Sequence, residues 1–200
     1  MTIQVGYIIG SISSRSINRK LMHGLVQLET ERDPGGAPPF EFTELPIADL
    51  PLYNYDLDDD YPASATAFKQ AILRSDALII ATPEYNRSIP GALKNAIDWG
   101  SRPYGESAFR GKPTGILGAS VGAIGTALAQ QHLRNILAYL DAPTLGQPEA
   151  FVQFTPERFA DDGTVTDAET REFLTDWLTA YREWALGCAA NASDPITATQ

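Results

Sequence analysis

The sequence is poor in cysteine and histidine, with one cysteine and two histidines in 200 residues. The single Cys188 excludes an internal disulfide and any Cys-x-x-Cys metal or redox site. His23 and His132 are the only imidazole ligands, and the sequence contains no HExxH motif. We therefore expect no bound metal.

Basic residues are also scarce, since 15 lysines and arginines stand against 25 aspartates and glutamates, for a formal net charge of −10. Nucleic acids and anionic membranes attract positive surfaces, so neither is an expected partner. No apolar run approaches the length of a membrane span, and the N-terminal residues are typical of a first strand rather than of a signal peptide. We expect a cytoplasmic protein.

Apolar, β-branched segments alternate with helical patterns along the chain. Strands are predicted at residues 3–9, 40–45, 77–81, 114–119 and 151–154. Helices are predicted at residues 18–31, 63–74, 91–101, 125–140 and 168–186. This alternation predicts a parallel sheet between two helical layers, and five strands fit the flavodoxin-like order 2-1-3-4-5. Residues 1–187 then form one domain, and the small, polar tail 188–200 is expected to be disordered.

Three loops follow strands 1, 3 and 4 of this predicted α/β domain. The carboxyl ends of parallel strands meet at one edge of a sheet, which is where ligands bind. The first loop, residues 10–18, is rich in serine and contains Arg15, so its N–H groups and the next helix N-terminus suit an anion. It lacks both GxxxxGK and GxGxxG. A serine-rich helix cap, with Ser16 as the capping residue, explains it equally well.

The second and third loops complete a possible binding edge. The second loop, residues 83–88, begins at Pro83 and offers a carboxylate, a phenol, an amide, a guanidinium and a hydroxyl. The third loop, residues 119–125, is glycine-rich and lets a flat ligand approach the backbone. The three loops differ in kind: the first can bind an anion, the second has polar and aromatic side chains, and the third is glycine-rich. Together they suit a phosphate attached to a planar heterocycle. Flavin mononucleotide (FMN) fits both requirements.

A long motif now makes a family resemblance specific. The run Pro83-Glu-Tyr-Asn-Arg-Ser-Ile-Pro-Gly-Ala-Leu-Lys-Asn-Ala-Ile-Asp-Trp99, with Gly10, Ser11, Ser16 and Asn18, resembles the NAD(P)H-dependent FMN reductase family. That family includes chromate reductases, quinone reductases and related azoreductases. The resemblance implies a flavodoxin-like fold, bound FMN, and NADPH or NADH as the hydride donor.

The resemblance also implies the residues that contact FMN. Its phosphate is expected to contact four residues of the first loop and helix start, namely Ser11, Arg15, Ser16 and Asn18. Its isoalloxazine ring is expected to lie against Pro83, Glu84, Tyr85, Asn86 and Ser88, with Ser120 and Gly122 on the other side. Many members carry a basic residue where this chain has Ser13, and Arg15 is the candidate to replace it. No catalytic residue is expected, because the flavin carries the hydride chemistry.

The implied function is an oxidoreductase that passes hydride from NAD(P)H through FMN to quinone, flavin, azo or metal-ion acceptors. A flavodoxin-like electron carrier without its own NAD(P)H reductase activity is the alternative, and a flavin-free scaffold protein is a third. The Pro-Glu-Tyr-Asn motif favours the reductase. Relatives also imply a homodimer, with a tetramer as the alternative, in which segment 50–55 approaches the partner's flavin.

Three residues of this region have simpler interpretations than catalysis. A loop-fixing role is favoured for Glu84 over general acid catalysis. His132 lies in a helical pattern, so a structural or interfacial role is favoured. Trp99, at the end of the third helix, is expected in the core or at a dimer contact rather than against the flavin.

Overall fold

The fold is built around one parallel sheet, as a computed structural model of residues 2–32 and 40–192 shows. The five strands are β1 (Ile3–Ile9), β2 (Phe40–Glu44), β3 (Ala77–Ala81), β4 (Thr114–Ser120) and β5 (Ala150–Gln153). Their order is β2-β1-β3-β4-β5, and every neighbouring pair is parallel. The predicted flavodoxin-like order is confirmed.

Helices cover both faces of this sheet. They are α1 (Ile17–Glu31), α2 (Ala63–Arg74), α3 (Gly91–Ser101), α4 (Ala127–Tyr139) and α5 (Ala168–Ala192). One buried apolar cluster joins the sheet to α1 and α5, and a second joins its other face to α2, α3 and α4. Because both faces are covered, β3 is buried at every position, which explains its uninterrupted apolar sequence. The three-layer arrangement is the predicted one.

The C-terminal helix is longer than the sequence predicts. We expected it to end at residue 186, whereas α5 continues to Ala192. Gly187 does not stop the helix, and the alanines that follow it favour helical structure. Residues 188–192 therefore belong to α5, and the rest of the expected tail, residues 193–200, lies outside the described residues.

The sheet register brings the ends of β1, β3 and β4 to the same edge. Ile9 pairs with Ala81, which in turn pairs with Leu117 in β4. The N–H of Gly10 continues this ladder by donating to the Ala81 carbonyl oxygen at 2.8 Å. The three loops therefore leave the sheet side by side. None of the helices in residues 2–32 and 40–192 combines the length and apolar character that a membrane span requires.

Candidate active site

Asn18 ties the first loop to the third. Its side-chain Nδ2 donates to the Ala119 carbonyl oxygen at 3.0 Å, and its Oδ1 accepts from the Ala119 N–H at 2.9 Å. The side chain is 1% exposed. It therefore joins α1 to β4 and is not presented to a ligand. A phosphate contact of Asn18 stays a prediction for its backbone N–H alone, in the first turn of α1.

The first loop is a succession of short side chain–backbone turns. Ser11 Oγ accepts the N–H of Ser13 at 3.3 Å, and Ser13 Oγ accepts the N–H of Arg15 at 3.2 Å. Ser16 Oγ accepts the N–H of Arg19 at 3.3 Å, so Ser16 is the N-cap of α1, in agreement with the helix-cap interpretation of this loop.

These bonds leave donors for a ligand at the start of α1. The N–H groups of Ile17 and Asn18 have no hydrogen-bond partner among the described residues. The Arg15 side chain lies beside them on the chain and is exposed. A phosphate is bound favourably by such a set of donors, which comprises two free N–H groups at a helix N-terminus and a guanidinium.

The second loop contains a tight turn between Tyr85 and Ser88. The N–H of each of these residues donates to the carbonyl oxygen of the other at 3.0 Å. The central residues Asn86 and Arg87 have φ of 52° and 64°, which defines a type I′ turn. Such a turn leaves its two central N–H groups free for a ligand, while Tyr85 is 54% exposed beside them.

Glu84 fixes the second loop to α4. Its Oε2 accepts the N–H groups of Leu128 and Ala129 at 3.0 and 3.1 Å. Thr126, the N-cap residue of α4, makes no side-chain capping bond, so the Glu84 carboxylate supplies that cap from another element. The loop-fixing role predicted for Glu84 is confirmed, and its contact with a flavin ring stays a prediction.

Ser88 makes a second connection to α4. Its Oγ lies 3.0 Å from Nδ1 of His132, which agrees with the structural role expected for that histidine. In the third loop, Ser120 Oγ donates to the Gly122 carbonyl oxygen at 2.9 Å. A Cβ at Gly122 would meet only Ser120 Oγ, at 3.8 Å, so open space remains there for a flat ligand.

Asn95 and Trp99 have a role that the sequence did not reveal. Asn95 Nδ2 and Trp99 Nε1 both donate to the Pro51 carbonyl oxygen, at 2.9 and 2.7 Å, and Asn95 Oδ1 accepts the N–H of Tyr53 at 2.8 Å. Trp99 is fully buried, as expected for a core residue. Their four-residue spacing on α3 was the available signal, because it places both on one helix face. Together they hold segment 50–55 against α3.

Two phenols donate hydrogen bonds within and next to this region. Tyr53 donates from its hydroxyl to Asp58 Oδ1 at 2.9 Å, and Tyr61 donates to the Trp99 carbonyl oxygen at 3.2 Å. Burial, reinforced by the Asp58 carboxylate, raises the pKa of both phenols above its ordinary value. Both phenols therefore remain neutral hydrogen-bond donors at physiological pH. Tyr53 ties segment 50–55 to Asp58, and Tyr61 bonds to the end region of α3.

The sequence model of the NADPH-dependent FMN reductases matches residues 3–157. This chain belongs to that family. A 2-hydroxy-1,4-benzoquinone reductase from a Burkholderia species is 45% identical to this reductase over 184 residues, covering 92% of this chain and 97% of the relative. A quinone reductase from Pseudomonas putida is 41% identical over 181 residues, covering 90% and 93%.

A solved structure with the same architecture is FerB, a flavoenzyme NAD(P)H:(acceptor) oxidoreductase from Paracoccus denitrificans. It is 43% identical to this reductase, with a TM-score of 0.85 over 93% of this chain and 98% of FerB. The predicted family, its FMN cofactor and its NAD(P)H dependence are confirmed. The chain is an oxidoreductase, and the electron-carrier alternative is not supported.

The residues of this reductase fit FMN. The free N–H groups at the start of α1, close in the chain to the exposed Arg15, suit a phosphate, and the turn at 85–88 offers N–H groups beside an exposed tyrosine. The third loop leaves space over Gly122. The structure brings together all three predicted loops, and it assigns Asn18 and Glu84 to holding them in place.

Proposed function

We propose that this protein is an NAD(P)H:quinone reductase that holds FMN between the three loops. The observation that carries this proposal is the convergence of two sets of free backbone donors, at the start of α1 and at the type I′ turn. The Asn18–Ala119 pair and the Glu84 cap of α4 keep these donors at fixed positions. A preformed site of this kind binds a cofactor without having to order its loops.

Each loop has its own part in the proposed site. The FMN phosphate is held by Ser11, Arg15, Ser16 and the N–H of Asn18. The ring is held by Pro83, Glu84, Tyr85, Asn86, Ser88, Ser120 and Gly122. Bound FMN supplies hydride acceptance from NAD(P)H and reduction of the acceptor. The protein orients the two substrates and donates hydrogen bonds, and no side chain is required as an acid or base.

Apolar side chains around the site favour a flat, uncharged acceptor. Ile12, Tyr85, Val121 and Ile124 come from the three loops, and each is more than half exposed. Exposed apolar side chains on ligand-binding loops favour apolar ligands over oxyanions or hydrated metal ions. The relatives named as quinone reductases support the same class. Metal-ion acceptors are expected to be poorer substrates.

We also propose that the protein acts as a homodimer in the cytoplasm, where NAD(P)H is regenerated. Segment 50–55 presents Leu52 and Tyr55, which are 85% and 73% exposed. Large exposed apolar residues of this kind are typical of interaction surfaces. The segment is held rigidly on α3, so it is preformed for the partner subunit.

Steady-state kinetics test this function. Initial rates are measured with NADPH varied at several fixed concentrations of 1,4-benzoquinone, using protein saturated with FMN. If one site serves both substrates in turn, double-reciprocal plots give parallel lines. Intersecting lines would contradict the shared site. A protein that turns over only when a second reductase is added would contradict the proposed reductase function altogether.

A further inference from the structure

Arg87 occupies a backbone conformation that arginine rarely adopts. Its φ of 64° lies in the left-handed region, at the third position of the type I′ turn, where glycine is strongly preferred. Asn86, the other central residue, belongs to a type that tolerates this region. The strain therefore falls on Arg87. An arginine held against its backbone preference points to a use for its side chain.

The contacts of Arg87 do not explain that strain. Its Nη1 lies 3.5 Å from Glu84 Oε1, and its side chain is 66% exposed. An ion pair at that distance, with its guanidinium mostly in solvent, contributes little to stability. Glu84 is already held by the two N–H groups of α4, so it does not need the arginine. The guanidinium is available to a ligand at the edge of the flavin site.

The charge of the molecule makes such a cation useful. NADH and NADPH are both anions, and the protein has a formal net charge of −10. Two positive side chains occur in these loops. Arg15 lies in residues 10–16 of the first loop, Arg87 lies in the second loop, and the third loop contains no lysine or arginine. Arg15 lies in the loop proposed for the FMN phosphate. Of these two loop cations, Arg87 is therefore the one left for a second anionic ligand.

We propose that Arg87 binds a phosphate group of the incoming nicotinamide dinucleotide and so determines the affinity for the reductant. This inference rests on the proposed function. In either nucleotide, the contact is between a phosphate group and the planar guanidinium of Arg87. The phosphate belongs either to the pyrophosphate, which both nucleotides have, or to the 2′-phosphate, which only NADPH has. The effect of an Arg87 variant on NADH binding distinguishes the two.

Anaerobic rapid mixing of the FMN-loaded protein with NADPH or NADH measures the reductant affinity separately from the acceptor. Bleaching rates are followed against nucleotide concentration for the wild type, Arg87→Gln and Arg87→Gly. We expect the apparent Kd for NADPH to rise about tenfold or more in both variants, since a charge-assisted contact is lost. An equal rise for NADH assigns the contact to the pyrophosphate, and an unchanged Kd for NADH assigns it to the 2′-phosphate.

Two controls separate this contact from folding and from overall charge. Arg110→Gln removes the same charge from an exposed residue in the connection that precedes β4, at the opposite edge of the sheet, and should leave both Kd values unchanged. Arg87→Gly relieves the backbone strain, so its melting temperature should equal or exceed that of the wild type. Loss of nucleotide affinity in this stable variant would exclude an unfolding effect.

Several results would overturn the inference. Unchanged Kd values for both nucleotides in the Arg87 variants would do so, as would a change confined to the bleaching rate at saturation. Loss of FMN from these variants would assign Arg87 to the flavin instead. A wild-type protein that holds FMN but is not bleached by either nucleotide would refute the proposed function itself, and is thereby distinguished from these results.

Discussion

The side-chain amide of Asn18 pairs in both directions with the backbone of Ala119, which lies 101 residues further along the chain. This pair joins the first turn of α1 to the end of β4. The first and third loops therefore keep one relative position before any ligand arrives. Because the pair is buried, its loss leaves a donor and an acceptor of the Ala119 backbone without partners.

Asn18→Ala should cost about 1–3 kcal/mol of stability, the usual penalty for buried groups left unsatisfied, and should also weaken FMN binding. Urea unfolding measures the first effect, and fluorescence titration with FMN measures the second. Tyr181→Phe is the matched control, because it removes a buried hydrogen bond to the Leu78 carbonyl oxygen near the opposite edge of the sheet. It should lose stability and keep its FMN affinity. Equal FMN affinities in all three proteins would contradict the proposed role of Asn18.

Glu84→Ala should detach the second loop from α4. The helix loses its cap, at about 1 kcal/mol, and the type I′ turn loses its anchor. We expect a lower melting temperature together with a reduced kcat/KM for quinone. Glu84→Gln keeps one carbonyl oxygen as an acceptor and should recover part of both losses. If Glu84→Ala turned over as fast as the wild type, the carboxylate would have no positioning role.

The sequence was sufficient for the layout of this fold and insufficient for the connections within the site. The apolar run Ala77–Ala81 and the serine-rich and glycine-rich loops have local patterns that identify a buried strand and its neighbours. Parallel pairing then places the three loops at one edge. The partner of Asn18 was not predictable, because it depends on where α1 packs against β4. The end of α5 was missed because the helix propensity of the alanines after Gly187 outweighed that glycine.

Alanine at Gly118 and alanine at Gly122 should affect different properties, the first stability and the second FMN binding. A Cβ at Gly118 would overlap the Thr126 hydroxyl and the Thr82 carbonyl oxygen, so Gly118→Ala should fold poorly. Gly122→Ala meets only Ser120 Oγ, at 3.8 Å, and should melt like the wild type while binding FMN more weakly. Thermal melts and FMN titration measure both variants. FMN binding by Gly122→Ala as tight as that of the wild type would indicate that the flavin does not lie against the third loop.

Asp167 gives the fold a defined dependence on acid. Its Oδ2 accepts from the Thr170 hydroxyl at 2.6 Å and from the Thr170 N–H at 2.8 Å, and these bonds lower the pKa of the carboxyl. Its stabilisation is therefore complete above the unfolded-state pKa, about 3.9, and is lost as the pH falls through the lower folded-state value. Asp167→Ala should melt below the wild type at pH 7, with a difference that narrows below about pH 4. A difference that stays constant down to pH 2 would contradict this role of the Asp167 carboxylate.

The most direct test of the account is an anaerobic absorbance titration of the purified protein with NADPH. We predict a yellow protein whose flavin bands bleach without any partner protein, and whose colour returns when quinone is added. Bound flavin that stays oxidised until a separate reductase is supplied would contradict the reductase function. A colourless protein that also fails to take up added FMN would contradict the assignment of the three loops as its site.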